Sequence, residues 1–106
     1  MKGTYLGEFQ EIVLLTVILL KDEAYGVQIQ KEISRYSGRS ISRGALHSAL
    51  SRLEDKGFLK GKFGEVSQKR GGKRKKYYQI TQFGESALEE AEAVRQSFQL
   101  AIQASR

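Results

Sequence analysis

The 106-residue sequence contains no cysteine and no proline, and a single histidine, His47. Without cysteine, disulfides and thiolate metal sites are excluded. With one histidine, so is a multi-histidine metal site. The lack of proline permits long uninterrupted helices. Long hydrophobic runs are also missing. The longest, Ile12 to Leu20 (IVLLTVILL), is interrupted by Thr16 and falls well short of the ~20 residues a helix needs to span a bilayer. The opening MKGTYLGEFQE mixes basic and acidic residues ahead of that run, and no small-residue cleavage site follows it, so a signal peptide is not expected. No Ser–His–Asp or Cys–His arrangement, phosphate-binding glycine loop or metal-spaced cluster is recognisable. Glu54-Asp55 and Glu89-Glu90 are sequence neighbours, which splay around a helix instead of converging. Catalysis, a cofactor and a metal are not expected, nor is a membrane association. The absence of cysteine is consistent with the cytoplasm.

What the chain does have is an uneven charge. Its net charge is +6, and residues 69–76, KRGGKRKK, hold six basic and no acidic side chains. The rest of the chain therefore sums to zero, and the positive field comes from one short segment. Such a concentration points to contact with a polyanion. A composition 40% hydrophobic and 28% charged is that of a single globular domain with a core.

The most sharply punctuated stretch is Ser42 to Gly57, SRGALHSALSRLEDKG. Ser42 suits an N-cap, and Gly57 suits the left-handed position that ends a helix. Leu46, Ala49, Leu50 and Leu53 form a narrow apolar stripe at helical spacing. The other face carries Gly44, Ser48, Ser51 and Asp55, flanked by His47 and Arg52, with Arg43 at the N-terminal end. Alone, this is an ordinary surface helix; a slim polar face with a basic end is also what a DNA major groove admits.

The neighbours decide between these. The spacing predicts a first helix over Tyr5 to Leu20. Leu6, Phe9, Ile12, Val13 and Ile18 lie along one side, and Leu14, Leu15, Val17 and Leu19 cover the rest of its second half. A helix apolar all round is buried all round, either as the central core helix or because it also packs on a second subunit; the second is the reading taken here. A second helix is predicted over Ala24 to Tyr36, with Tyr25, Ile29, Ile33 and Tyr36 at 4, 4 and 3 spacing and with Gly26 in its first turn, where a glycine permits close approach of another backbone. The turn Ser37-Gly38-Arg39-Ser40 follows. Two helices joined by a short glycine-containing turn form a helix-turn-helix pattern. Beyond Gly57 the period changes to alternation over Phe58 to Val66 and Lys75 to Thr81, joined by SQKRGGKR (67–74) with its Gly71-Gly72 turn signal. This predicts a two-stranded hairpin tipped by the basic run. A last helix runs from an N-cap at Thr81 to about Ala104. Ala87, Ala91, Val94, Phe98 and Ala101 recur at 4, 3, 4, 3 with Leu88 and Ile102 beside them, a short seam for a partner helix.

The expected fold is mainly α with a small β-hairpin: a winged helix-turn-helix over 1–81 and a long C-terminal dimerisation helix over 82–106. The stretches LGEFQEIVLL (6–15), AYGVQIQKEI (24–33), GALHSALSRLEDKGFL (44–59) and RGGKRKKYYQITQFG (70–84) resemble, in order and spacing, the PadR family of winged-helix transcriptional regulators in its short form with one C-terminal helix. The resemblance implies a homodimer that binds a palindromic operator on double-stranded DNA, usually as a repressor, with the first and last helices building the dimer interface. It places DNA contacts at the start of the third helix (Ser42, Gly44, Ala45 and neighbours) and on the wing from Arg70 to Lys76. Two departures stand out. His47-Ser48 occupies the place of a common Tyr-Pro pair. The chain has no tryptophan, so the paired-tryptophan sandwich that holds flat aromatic drugs in some short members is missing.

The residues expected on DNA are Ser42, Arg43, Gly44, Ala45, His47 and Ser48 in the third helix, and Lys69, Arg70, Gly71, Gly72, Lys73, Arg74, Lys75, Lys76 and Tyr77 in the wing. Those expected between subunits are Phe9, Leu14, Val17, Leu88, Ala91, Val94, Phe98 and Ile102. A small-molecule effector of unknown identity is a further possible partner by family analogy. The other reading of the basic surface is an RNA- or ribosome-associated winged helix.

Overall fold

The structure, a computed structural model, describes residues 5–66 and 74–106. The helix α1 (Glu8–Leu20) is followed by a 3-10 turn (Lys21–Glu23), α2 (Gly26–Ser37), α3 (Arg43–Asp55), the strands β1 (Leu59–Val66) and β2 (Arg74–Ile80), and α4 (Gln82–Ala104). The strands pair antiparallel, Leu59 opposite Ile80 through Phe63 opposite Lys76, with an irregularity before Val66 meets Arg74. This is the expected winged helix-turn-helix with a long last helix. The wing tip, residues 67–73, lies outside the described residues.

One core joins the elements. It gathers Val13, Leu14 and Val17 from α1, Ile29 and Ile33 from α2, the complete predicted stripe of α3, Phe58 and Leu59 at the start of the hairpin, Tyr78 from β2 and Ala87 from α4. The end of α3 is a Schellman motif. Gly57 has φ 85°; its N–H donates to the Glu54 carbonyl at 3.0 Å, and the Phe58 N–H reaches back to the Leu53 carbonyl at 2.9 Å. Leu53 and Phe58 are both fully buried, so the motif turns the chain directly from α3 into the hairpin.

Several boundaries move for identifiable reasons. α1 starts at Glu8 instead of Tyr5, because Gly7 caps it and the Gln10 side chain accepts from the Gly7 N–H at 3.1 Å. α2 starts at Gly26 because Ala24 and Tyr25 are taken up by the hairpin: the Tyr78 N–H donates to the Ala24 carbonyl at 2.8 Å, and Tyr25 bridges Tyr77. A Cβ added at Gly26 would meet nothing within 4 Å, so no backbone crowds that glycine as expected. Tyr36, in helical spacing with the buried Ile29 and Ile33, is 68% exposed.

α1 ends on Lys21, whose φ of 53° and ψ of −119° lie in a region that glycine enters easily and side chains do not. Lys21→Gly should therefore stabilise the fold by about 1 kcal/mol, the relief of strain outweighing the added freedom of the unfolded chain. Chemical denaturation at equilibrium measures it; an unchanged or lowered midpoint would show that Lys21 sits there without strain.

Candidate nucleic-acid interface

The outward side of α3 is open. Arg43, Gly44, Ala45, His47 and Ser48 are all exposed, while Leu46, Ala49, Leu50 and Leu53 are buried beneath them. Ser42 caps the helix, its hydroxyl oxygen accepting from the Ala45 N–H at 3.0 Å. Arg43 adds a cation at the end where the helix dipole is already positive, which favours phosphate there. The approach from α2 is fixed by Gly38 (φ 72°) and by Gln30, whose side-chain amide donates to the Ile41 carbonyl at 2.8 Å. Arg39 in the same turn donates to Glu8 at 2.8 Å. That hydrogen bond holds the Glu8 carboxyl below the usual carboxylate range and raises Arg39. Both groups are exposed, so the pair contributes little to stability.

The base of the hairpin is tied to the helices. Tyr25 and Tyr77 meet edge to face with centroids 5.4 Å apart, and the Lys75 ammonium sits 3.9 Å from the centre of the Tyr25 ring. Lys76 donates to Glu54 of α3 at 2.8 Å. That hydrogen bond raises the lysine above its ordinary value. Arg74 is exposed at the outer end of β2. Of the wing residues expected on DNA, the described ones therefore divide: Arg74 points to solvent, while Lys75, Lys76 and Tyr77 are engaged within the chain. Lys69, Arg70, Gly71, Gly72 and Lys73 lie outside the described residues.

The expected interface residues divide as well. Leu14 is fully buried and Val17 is 2% exposed. Both belong to the chain's own core, which leaves them no free surface for the expected subunit contact. α1 is apolar all round but not covered all round: its uncovered side is Leu15, Ile18 and Leu19, at 54%, 44% and 51% exposure. Phe9, Leu88 and Ala91 are half-buried. Val94, Phe98 and Ile102 stand exposed on the distal half of α4. α4 is anchored to α1 by Arg95, which donates to the nearly buried Glu11 carboxylate at 2.7 Å.

Residues 14–90 match the transcriptional regulator PadR-like family. The chain belongs to that family. An uncharacterised protein of Lysinibacillus sphaericus is 41% identical over 80 residues, 74% of this chain and 70% of that protein. A PadR-like transcription factor from Bacteroides fragilis superposes with a TM-score of 0.74 at 26% identity, over 92% of this chain and 89% of that one. A PadR family transcription regulator from Clostridium difficile R20291 superposes with a TM-score of 0.68 at 28% identity, over 91% and 96%. PadR proteins are DNA-binding transcriptional regulators, not enzymes, and this chain is one of them.

Within this PadR chain, three positioning groups escape a reading by periodicity: Gln30, Glu54 and the Glu11–Arg95 pair. Each works on a partner distant in sequence, and none interrupts a local pattern. The sequence treats Glu54 only as one of two neighbouring acids that splay around the helix.

Proposed function

We propose that the protein is a homodimeric repressor that occludes a promoter by binding a two-fold operator. The observation that carries the reading is the pairing of two uncovered surfaces on one chain. One is the polar outward side of α3, beside the root of a basic hairpin. The other is the apolar side of distal α4, where Val94, Phe98 and Ile102 lack intrachain cover. Residues 1–81 then form the DNA-binding unit and 82–106 the dimerisation helix. The exposed residues Arg43, Gly44, His47 and Ser48 read base edges or phosphates from α3, and the wing supplies phosphate contacts that set register. Phe9, Leu88, Ala91, Val94, Phe98 and Ile102 meet the partner, with Leu15, Ile18 and Leu19 in place of Leu14 and Val17.

No described helix is long and apolar enough to cross a membrane, and a regulator of this kind works beside the DNA in the cytoplasm. Relief of repression requires the two α3 helices to change their separation. A groove of about 1450 Å³ between the end of α1, the hairpin and α4, which shares Leu15, Ile18 and Leu88 with the proposed subunit contact, is where a small effector would act on that separation. Selection from a random duplex pool tests the reading. The expected product is a two-fold site with half-sites about 10 bp apart or a multiple of that, bound by a dimer in sedimentation and blocking transcription when placed over a promoter. An asymmetric single site bound by a monomer would refute it.

A further inference from the structure

The contact between α3 and the hairpin is built around a lysine that the basic run would assign to DNA. Lys76 lies on β2 opposite Phe63. Its stem crosses β1 over Gly61, and its ammonium donates to Glu54 on α3 at 2.8 Å. The Phe63 and Tyr78 rings flank the ammonium at 5.6 and 5.4 Å. Both charged side chains are about two-thirds covered. The glycine is part of the arrangement: a Cβ at position 61 would run into the Lys76 stem and stand 3.0 Å from a Glu54 carboxylate oxygen. Three elements thus meet in one contact, with a cation, an anion and a trough left open for the stem.

We propose that Lys76 is a positioning residue that, held by Glu54 across Gly61, locks the hairpin at one angle to α3, so that wing and α3 reach DNA in a single register. It takes no phosphate itself. The charge-assisted contact at 2.8 Å holds the ammonium on α3, and the stem, laid over Gly61 with the Phe63 and Tyr78 rings on either side, fixes the direction from which it arrives. The inference rests on the reading that α3 and the hairpin both touch DNA.

The test uses the full chain with two probes, a duplex recovered from the random pool and a mixed-sequence duplex of the same length, titrated with salt. Lys76→Met keeps the stem against Phe63 and Tyr78 and removes only the charge. It should weaken binding to the selected duplex about tenfold, affect the mixed-sequence duplex much less, and leave the salt slope nearly unchanged. Glu54→Gln should do the same, although it makes the protein more positive; simple charge attraction to DNA predicts the opposite sign. The exchanged pair Glu54→Lys with Lys76→Glu should recover binding to within about threefold of the parent protein. Gly61→Ala should mimic Lys76→Met by filling the trough. The proposal is overturned if Lys76→Met lowers the slope by about 0.9, the value of one lost phosphate contact, and weakens both probes alike. Tighter binding by Glu54→Gln would overturn it too. Alanine at Lys69, Arg70, Lys73 and Arg74 together separates the two levels: if it leaves affinity and slope intact on both probes, the hairpin does not touch DNA and the underlying reading fails with the inference.

Discussion

Gly84→Ala should lower stability by about 2–3 kcal/mol, a fall in melting temperature of roughly 10–15 °C for a domain of this size. Gly84 is buried in the first turn of α4. A methyl group there would run into the Phe58 carbonyl oxygen and lie 2.8 Å from Ile80 Cγ1. That carbonyl has no room to give, because the Thr81 N–H donates to it at 3.0 Å and the Thr81 hydroxyl lies within hydrogen-bond distance of it at 3.1 Å. The same hydroxyl oxygen accepts from the Gly84 N–H at 3.0 Å, and Phe83 stacks on Phe58 with centroids 4.8 Å apart. One knot thus launches α4 from the α3–β1 corner. The helix-propensity gain of alanine over glycine, up to about 1 kcal/mol, is too small to offset displacing it. Gly26→Ala is the matched control. It sits in the first turn of α2 with nothing within 4 Å of a Cβ, and should be neutral or stabilising. Thermal unfolding of the two variants side by side decides the matter; a Gly84→Ala protein as stable as its parent would mean that the corner adapts.

The contrast between these glycines shows where sequence reasoning reaches and where it stops. α3 was legible end to end because its signals are local: a serine that caps, a stripe at helical spacing and a glycine that must take positive φ. The start of α4 at Thr81 was legible for the same reason. The covered side of α1 was not. A helix apolar on every side offers no periodicity with which to separate Leu14 and Val17, claimed by the core, from Leu15, Ile18 and Leu19, left outside. The start of α2 was misplaced because Ala24 and Tyr25 serve β2, a pairing that depends on the hairpin being docked. The sequence permits close approach at Gly26 and the fold makes it at Gly84, since only the packed corner determines which glycine faces a carbonyl. At the candidate site, the exposed residues of α3 were foreseen. The contact of Lys76 with Glu54 was not, because the two lie 22 residues apart and the basic run around Lys76 suggests a uniform purpose.

In the proposed dimer, a charge placed at Phe98 should separate the subunits without unfolding them. In the single chain Phe98 is 67% exposed, so Phe98→Glu costs the monomer little. At a two-fold interface the substitution acts twice, because the same patch is used by both copies. Burying an unpaired carboxylate costs at least about 3 kcal/mol, so the dimer should weaken by a factor on the order of 10⁴ or more. The consequence for DNA follows from the Arg95–Glu11 pair. Glu11 is 8% exposed and joined to Arg95 at 2.7 Å, and Ala87 and Leu88 pack on the core, so in the proposed dimer the position of α4 bears on the placing of α3. Losing the interface therefore loses the fixed separation of the two α3 helices. Each half-site then binds alone, and the gain from linking two sites, roughly 10²- to 10⁴-fold, disappears. Sedimentation should show a monomer with unchanged helix content, and gel shift on the selected two-fold duplex should show affinity lost by at least ~10²-fold. Leu14→Ala, by contrast, should destabilise the chain by about 2–5 kcal/mol, as expected for a buried leucine in the monomer's own core. A Phe98→Glu protein that stays dimeric and keeps its operator affinity would place the subunit interface elsewhere on the molecule.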